Sequence, residues 1–350
     1  MTLLIAPYAP ISAIAQAAWI NVKSEGATGN GTTNDTAAIQ KAITAATSSA
    51  QTRTVYFPCG TYAFTGLTIT APVILQGDNN VCSILKYTPT SGAAITENFG
   101  SGDGQSPGIR DLTIAGPDSN YSIPQNTLGL KLGGTNGAAG FLAQRVAINF
   151  FGTGLTYGNN AYLTVFESSL ITQNVVDFVY PTGLTNSGEN LQFTNTLFAE
   201  GGQVYNNSLG PGIEIQGGAE LSIIGGSLDD CSLDIANGAG AIVKLTDVHV
   251  EWPGGALNAP LITMEDSWSM ISMESPYFYL GTDGSATSEV AISAGRFNGY
   301  SVYAVNGGGT NLASLIALSG TASAEIFGVG KIYGYTATAT NSGSGTLKTY

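Results

Sequence analysis

Four short runs of the chain carry acids at spacings that suit acid/base chemistry. Val165 to Thr172, Phe193 to Glu200, Ile223 to Asp230 and Leu245 to Trp252 can be aligned by their central apolar residues. In that register Leu170, Phe198, Leu228 and Val250 form one inward column. The next column reads Ile171, Ala199, Asp229 and Glu251, and the one after it Thr172, Glu200, Asp230 and Trp252. On adjacent coils of a parallel sheet, same-column residues sit about 4.8 Å apart, so Asp229 with Glu251, or Glu200 with Asp230, could bring carboxylates to about 5 to 10 Å. Two carboxylates in that range hydrolyse glycosidic bonds, through a covalent intermediate when close and through an inserted water when wider. Crowding of like charges raises one pKa and so supplies the proton donor. Glu251 with Asp229 or Asp230 is the expected acid/base pair, and Glu200 is a second candidate. The same acids would also serve as solvated turn residues, and a register slip of one would point half of them elsewhere.

Alternation places His249 on the face of Glu251, and Trp252 offers a flat apolar surface on which a sugar ring could stack. Asp247 and Lys244 lie in the same coil, and Tyr205 sits in a segment from about 201 to 211 that should loop outward. These five complete the candidate binding set. Elimination beside a uronate carboxylate would need a basic residue such as Lys131, Arg145 or Lys244, yet Lys and Arg total only 11. Calcium ligation by Asp229, Asp230 and Asp247 is conceivable from hard oxygens, but no loop spacing demands it, and no cofactor is expected. The single histidine excludes a His-rich metal site. Of the three cysteines, Cys59 and Cys82 lie one plausible repeat apart and could stack or pair, with buried thiols the expectation, and their spacings match no zinc ribbon.

The elements that must hold these residues begin with a short strand, Trp19 to Val22, and a glycine-rich loop from Gly26 to Asn34. Asp35 or Thr36 can cap the helix that follows, whose apolar face is Ala38, Ile39, Ala42, Ile43 and Ala46. The loop lacks a Gly-Lys-Ser/Thr ending, so a phosphate site is not indicated. Thr54-Val55-Tyr56-Phe57 then reads as a strand that Pro58 and Gly60 end. Beyond it come many short apolar runs separated by turn residues, with Gly129 to Gly154 spanning 25 residues and Gly154 to Asp177 spanning 23. Repeats of that length mean a solenoid in which each coil buries its apolar face on the next.

The run Gly26-Ala27-x-Gly29-x-Gly31-x-x-x-Asp35-Thr36-x-Ala38-Ile39-Gln40-x-Ala42-Ile43, followed by Val55-Tyr56-Phe57-Pro58-x-Gly60-x-Tyr62, resembles the opening of pectate-lyase superfamily proteins, a group that includes many phage tailspikes. The match covers about 60 residues, and Asn30 and Asn34 stand where that family often has Asp. The resemblance implies an all-β, right-handed, single-stranded parallel β-helix with a short N-terminal capping helix. It also implies a tailspike-like polysaccharide depolymerase, a homotrimer, and an extracellular or virion-surface location. The segments expected are 1–53 (N-terminal segment, loop and capping helix), 54–280 (β-helix) and 281–350 (last coils and C-terminal cap). An eliminative uronate lyase and a non-catalytic glycan-binding or structural fibre are the alternatives.

A formal charge of −13 disfavours nucleic acid, and 43% hydrophobic residues suffice for a core. Residues 1–18 are apolar and end in Ala15-Gln16-Ala17, like a signal peptide, but lack a leading Lys or Arg and contain Pro7 and Pro10. The alternative is that they pack on the body or on a sister chain. No other stretch approaches a membrane span.

Overall fold

The computed structural model describes residues 19–48, 53–101, 107–118, 122–201, 211–252, 258–281, 286–307 and 311–350. Residues 1–18 and Tyr205 lie outside them. The described chain is a parallel β-solenoid of about eleven coils with one helix, α1 (Thr36–Ser48). Each full coil contributes a strand to each of three walls. The first wall includes Val165–Glu167, Leu191–Thr194, Glu220–Ile224, Ile242–Thr246 and Met270–Glu274. The second includes Leu170–Thr172, Leu197–Ala199, Ser227–Asp229, His249–Trp252 and Tyr277–Leu280. The third runs through eleven strands from Leu67–Ile69 to Tyr335–Asn341. Parallel pairing continues through Leu347–Thr349, beyond the boundary drawn at residue 281.

Alternation sets what each wall buries. On the second wall Tyr62, Leu85, Ile114, Ile148, Ile171, Phe198, Leu228, Val250 and Phe278 occupy one column, and all are buried. A slip of one residue would turn this column to solvent at about 2 kcal/mol per side chain, so its length fixes the register. Inside, Phe193 contacts Phe166, Phe178 and Phe198 at ring separations of 4.9, 5.5 and 5.1 Å, tying the three walls together. The expected spacings from Gly129 to Gly154 and from Gly154 to Asp177 are one coil each, because Leu128 pairs with Thr153 and Thr153 with Val176.

Three expectations need correction. Leu170 is 38% exposed, and Ile171 takes the inward place above Phe198. Both residues are apolar, so hydrophobicity alone did not separate them, whereas the pleat allows only one inside. Cys59 and Cys82 are joined by a disulfide across adjacent coils, and only Cys231 is a buried free thiol among the described cysteines. Finally, the Asp35 carboxylate does not cap α1. It accepts from the Thr28 and Gly29 amides at 2.7 and 3.0 Å and from the Thr28 hydroxyl, closing the glycine-rich loop. Helix capping falls to Asn34, whose side-chain oxygen accepts from the Thr36 amide at 3.0 Å, and to the Asp35 carbonyl, which receives the Ile39 amide. Ile39, Ala42, Ile43 and Ala46 are the buried face of α1, with Ala38 partly buried.

Candidate active site

The acids meet where the second wall turns toward the third. Each coil there leaves its strand through a left-handed residue: Phe150, Gln173, Glu200 and Asp230 have φ of 64°, 58°, 61° and 48°. Backbone bonds stack these corners, with the Gln173 amide donating to the Ala199 carbonyl, that of Glu200 to Asp229, and that of Asp230 to Glu251. Glu200 and Asp230 therefore occupy equivalent corners of adjacent coils. Just before the corner, Asp229 and Glu251 are register partners on the outward face. Thr172 and Ala199, the latter aligned with Asp229, precede them in that column, and Tyr279 follows Glu251. The parallel outward column is Leu197, Ser227, His249 and Tyr277. Carboxylates, imidazole and phenols thus share one strip.

The side chains are held differently. The Ser227 hydroxyl donates to the Asp229 carboxylate and also contacts the His249 carbonyl at 3.2 Å. Gln173 Nε2 donates to Glu200 Oε2 at 3.3 Å. His249 Nε2 lies 3.7 Å from Glu251 Oε2, and its ring is 5.1 Å from that of Tyr277. Asp230 Oδ1 is buried and has no hydrogen-bond partner among the described residues. Burial, then the charges of Asp229, Glu200 and Glu251, push the Asp230 pKa up to about 6. A carboxyl in that state holds its proton to a higher pH than an ordinary aspartate does, as a proton donor must.

Behind this corner is a buried arrangement that the sequence reading missed. Asn174 Nδ2 donates to the carbonyls of Ile148 and Thr172, each at 3.1 Å, and to Asp177 Oδ1 at 2.9 Å, while Asn174 Oδ1 accepts from the Phe151 amide. The Cys231 thiol lies 3.7 Å from Asp177 Oδ2. Burial drives the Asp177 pKa well up, against the hydrogen bonds that Asn174 and Cys231 donate to it. It fills the space beneath Gly201, where a Cβ would stand 2.5 Å from Asp177 Oδ2. The sequence signal was an acid and an amide at the coil repeat first marked by glycines.

The other proposed residues disperse. Trp252 is 3% exposed, since it shares the parity of Val250, so it offers no ring face for stacking. Tyr277 and Tyr279 supply aromatic surface on the outward strip instead. Asp247 is exposed at the bend between the first and second walls. Lys244 lies on the first wall, in a shallow cleft with Asn190, Glu220 and Ser222, apart from the acids. Asp111 engages Arg145 through two hydrogen bonds, so that guanidinium is committed elsewhere. No grouping of metal-ligating atoms emerges at the acid corner among the described residues, and the grouping of Cys59, Asp78 and Cys82 contains the disulfide.

Residues 19–109 match the family model described as rhamnogalacturonase A/epimerase, pectate lyase-like. No match is found among curated proteins. Among solved structures, the enzymatically active domain of bacteriophage CBA120 tailspike protein 2 is similar over 90% of this chain and 48% of that one, at 15% identity and a TM-score of 0.67. The A-module of Azotobacter vinelandii mannuronan C-5 epimerase AlgE4 is similar over 94% and 99%, at 19% identity and a TM-score of 0.58. The catalytic unit of an α-1,3-glucanase from Streptomyces thermodiastaticus is similar over 95% and 68%, at 15% identity and a TM-score of 0.51. The chain therefore spans about half of the tailspike domain and all of the epimerase module. At these identities the likeness is one of fold, and the chain resembles the pectate lyase-like proteins in its parallel β-helix.

Proposed function

We propose that this protein is a tailspike-like polysaccharide depolymerase that hydrolyses a bacterial surface polysaccharide or exopolysaccharide. Asp230 is the proton donor, Glu251 is the ionised partner, and Asp229 and Glu200 hold the Asp230 pKa up. The observation that carries this reading is the buried Asp230 oxygen, without a hydrogen-bond partner among the described residues, beside three other carboxylates. The strip of His249, Tyr277 and Tyr279 next to these acids provides polar and aromatic contacts for sugar rings. The similarity to a tailspike, a glucanase and an epimerase supports a polysaccharide as the substrate class. Incubation with the host's surface polysaccharide, followed by mass spectrometry of the fragments, is the test. Hydrolysis adds one water per cleavage, and Asp230→Asn and Glu251→Gln should each lower turnover by roughly 10²- to 10⁴-fold while sparing binding. Unchanged cleavage by both variants would sink the assignment, and no cleavage of any glycan by the wild type would favour a non-catalytic fibre.

One observation favours a second reading, eliminative cleavage of a uronate polymer. The His249 ring is partly exposed beside Glu251 and lies against Tyr277, which sets an imidazole and a phenol side by side as the base and acid an elimination requires. Fragments lacking the added water and absorbing in the near ultraviolet would establish it. The Cys59–Cys82 disulfide agrees with an oxidising extracellular or virion-surface setting. Among the described residues no helix is long and apolar enough to cross a membrane. A homotrimer is part of the proposal, to be checked by light scattering.

A further inference from the structure

The corner between the third and first walls carries a second set of polar groups, distant in the fold from the acid corner. Over the last four coils it forms an open cleft of 510 Å³. Ser267, Thr321, Ser323 and Thr346 line it with hydroxyls from three of its four coils, and Arg296 and Lys348 bracket Glu325. Arg296 Nη2 and Lys348 Nζ each lie 3.3 Å from a Glu325 oxygen. Two cations against one anion leave these three side chains at +1, in a chain whose formal charge is −13. Next to Ser267 in the chain, Trp268 is 87% exposed at the same corner. Its backbone is pinned, because the Asp266 carboxylate accepts from the amides of Gly238, Gly240 and Trp268 and from the Ser269 hydroxyl. Asp266 is itself turned inward and saturated with donors.

An exposed indole on a pinned backbone, a set of hydroxyls and two cations around one carboxylate have a common complement, a sugar chain that bears carboxylates. We propose that this cleft is a second glycan-binding site, specific for an acidic oligosaccharide. The uronate carboxylate takes the place of Glu325 against Arg296 and Lys348, sugar hydroxyls bond to the Ser and Thr hydroxyls, and a ring packs on Trp268. Exposed ion pairs contribute little, so Glu325 is readily released, and a guanidinium donates two parallel hydrogen bonds to a carboxylate. Asn298 Oδ1 already fixes the Arg296 fork by accepting from its Nε at 3.2 Å. The site stands whether or not the acid corner is hydrolytic, and it would hold a charged polymer on the solenoid between cleavage events.

Calorimetric titration of the full chain with trigalacturonate, trimannuronate and, as a neutral probe, maltotriose tests this directly, with tryptophan fluorescence as a second readout. At least one uronate should bind at least tenfold more tightly than maltotriose. Arg296→Ala with Lys348→Ala should weaken that binding tenfold or more, as should Trp268→Ala, whereas Glu325→Gln, which frees the two cations, should tighten it severalfold. Thermal melts of each variant confirm folding, and Lys348→Ala alone, at an exposed position, serves if the double variant is unstable. Absence of binding to both uronates, equal binding of maltotriose, or unchanged uronate affinity in the cation and Trp268 variants would each overturn the proposal.

Discussion

At the scale of single residues, the acid corner turns on Asp230. Burial and three neighbouring carboxylates favour its protonated form, with the pKa pushed up to about 6. A donor must carry its proton before the bond breaks, so activity should fall as pH rises through about 6, and a partner that must be ionised sets the acid limb. Replacing Asp229 by Asn removes one of the charges that raise Asp230, so the alkaline limb should shift to lower pH. Rate profiles of wild type and variant on the same polysaccharide check this, and an unmoved limb would show that Asp230 is not the titrating donor. The clustering of Asp229, Asp230, Glu200 and Glu251 was legible because strand residues stack one per coil. The first coil was misplaced by one because Leu170 and Ile171 are equally apolar. Trp252 could have been excluded by alternation alone, since a residue two after an inward Val250 is also inward. Asp177 was not legible as chemistry, because its raised pKa follows from total burial beneath Gly201, which only the folded coil creates.

At the scale of elements, the N-terminal loop and α1 illustrate how one acid can do a different job from the expected one. The sequence offers Asp35 or Thr36 as the helix cap, whereas Asn34, one residue earlier, is an equally good capping type. The structure gives Asn34 the helix and Asp35 the loop. Asp35 is buried and satisfies the amides of Thr28 and Gly29, so Asp35→Ala leaves two loop donors without their acceptor and should cost about 1–3 kcal/mol. Asn34→Ala loses an exposed cap and should cost about 1 kcal/mol or less. Urea titrations of the two variants should rank them in that order, and the reverse order would assign the capping role back to Asp35. The disulfide acts nearby on the same end of the solenoid: Gly60, beside Cys59, donates its amide to the Cys82 carbonyl, so the covalent link doubles a contact the coil already makes. The spacing of the two cysteines equals one coil, which made their proximity legible but not their oxidation.

For the whole molecule, three carboxyls enclosed on the third-wall side of the solenoid set the response to pH. Glu97 lies in register between Ile69 and Leu132, its two oxygens have no hydrogen-bond partner among the described residues, and burial raises its pKa to about 8. Burial also raises Glu289, which Tyr335 contacts, to about 7, and drives Asp177 up. A folded-state pKa above the unfolded value means that the native protein binds more protons in the interval, so stability falls as pH rises through it. For Glu97 that interval runs from the ordinary glutamate value of 4.5 to about 8. Asp78 and Asp111, held below the usual range chiefly by Tyr56 and Arg145, act with the opposite sign and lose their contribution only in strong acid. The melting temperature should therefore decline from about pH 5 to pH 9. Glu97→Leu, similar in volume and surrounded by apolar neighbours, should change little at pH 5 and stabilise by a few kcal/mol at pH 9. Growing self-repulsion of a chain already at −13 would also lower stability at high pH, but salt screens that repulsion and does not relieve a buried charge. Melting curves in 0.1 and 1 M NaCl thus separate the two causes: an alkaline decline that persists in high salt and flattens in Glu97→Leu assigns it to the core, and a decline abolished by salt assigns it to the surface.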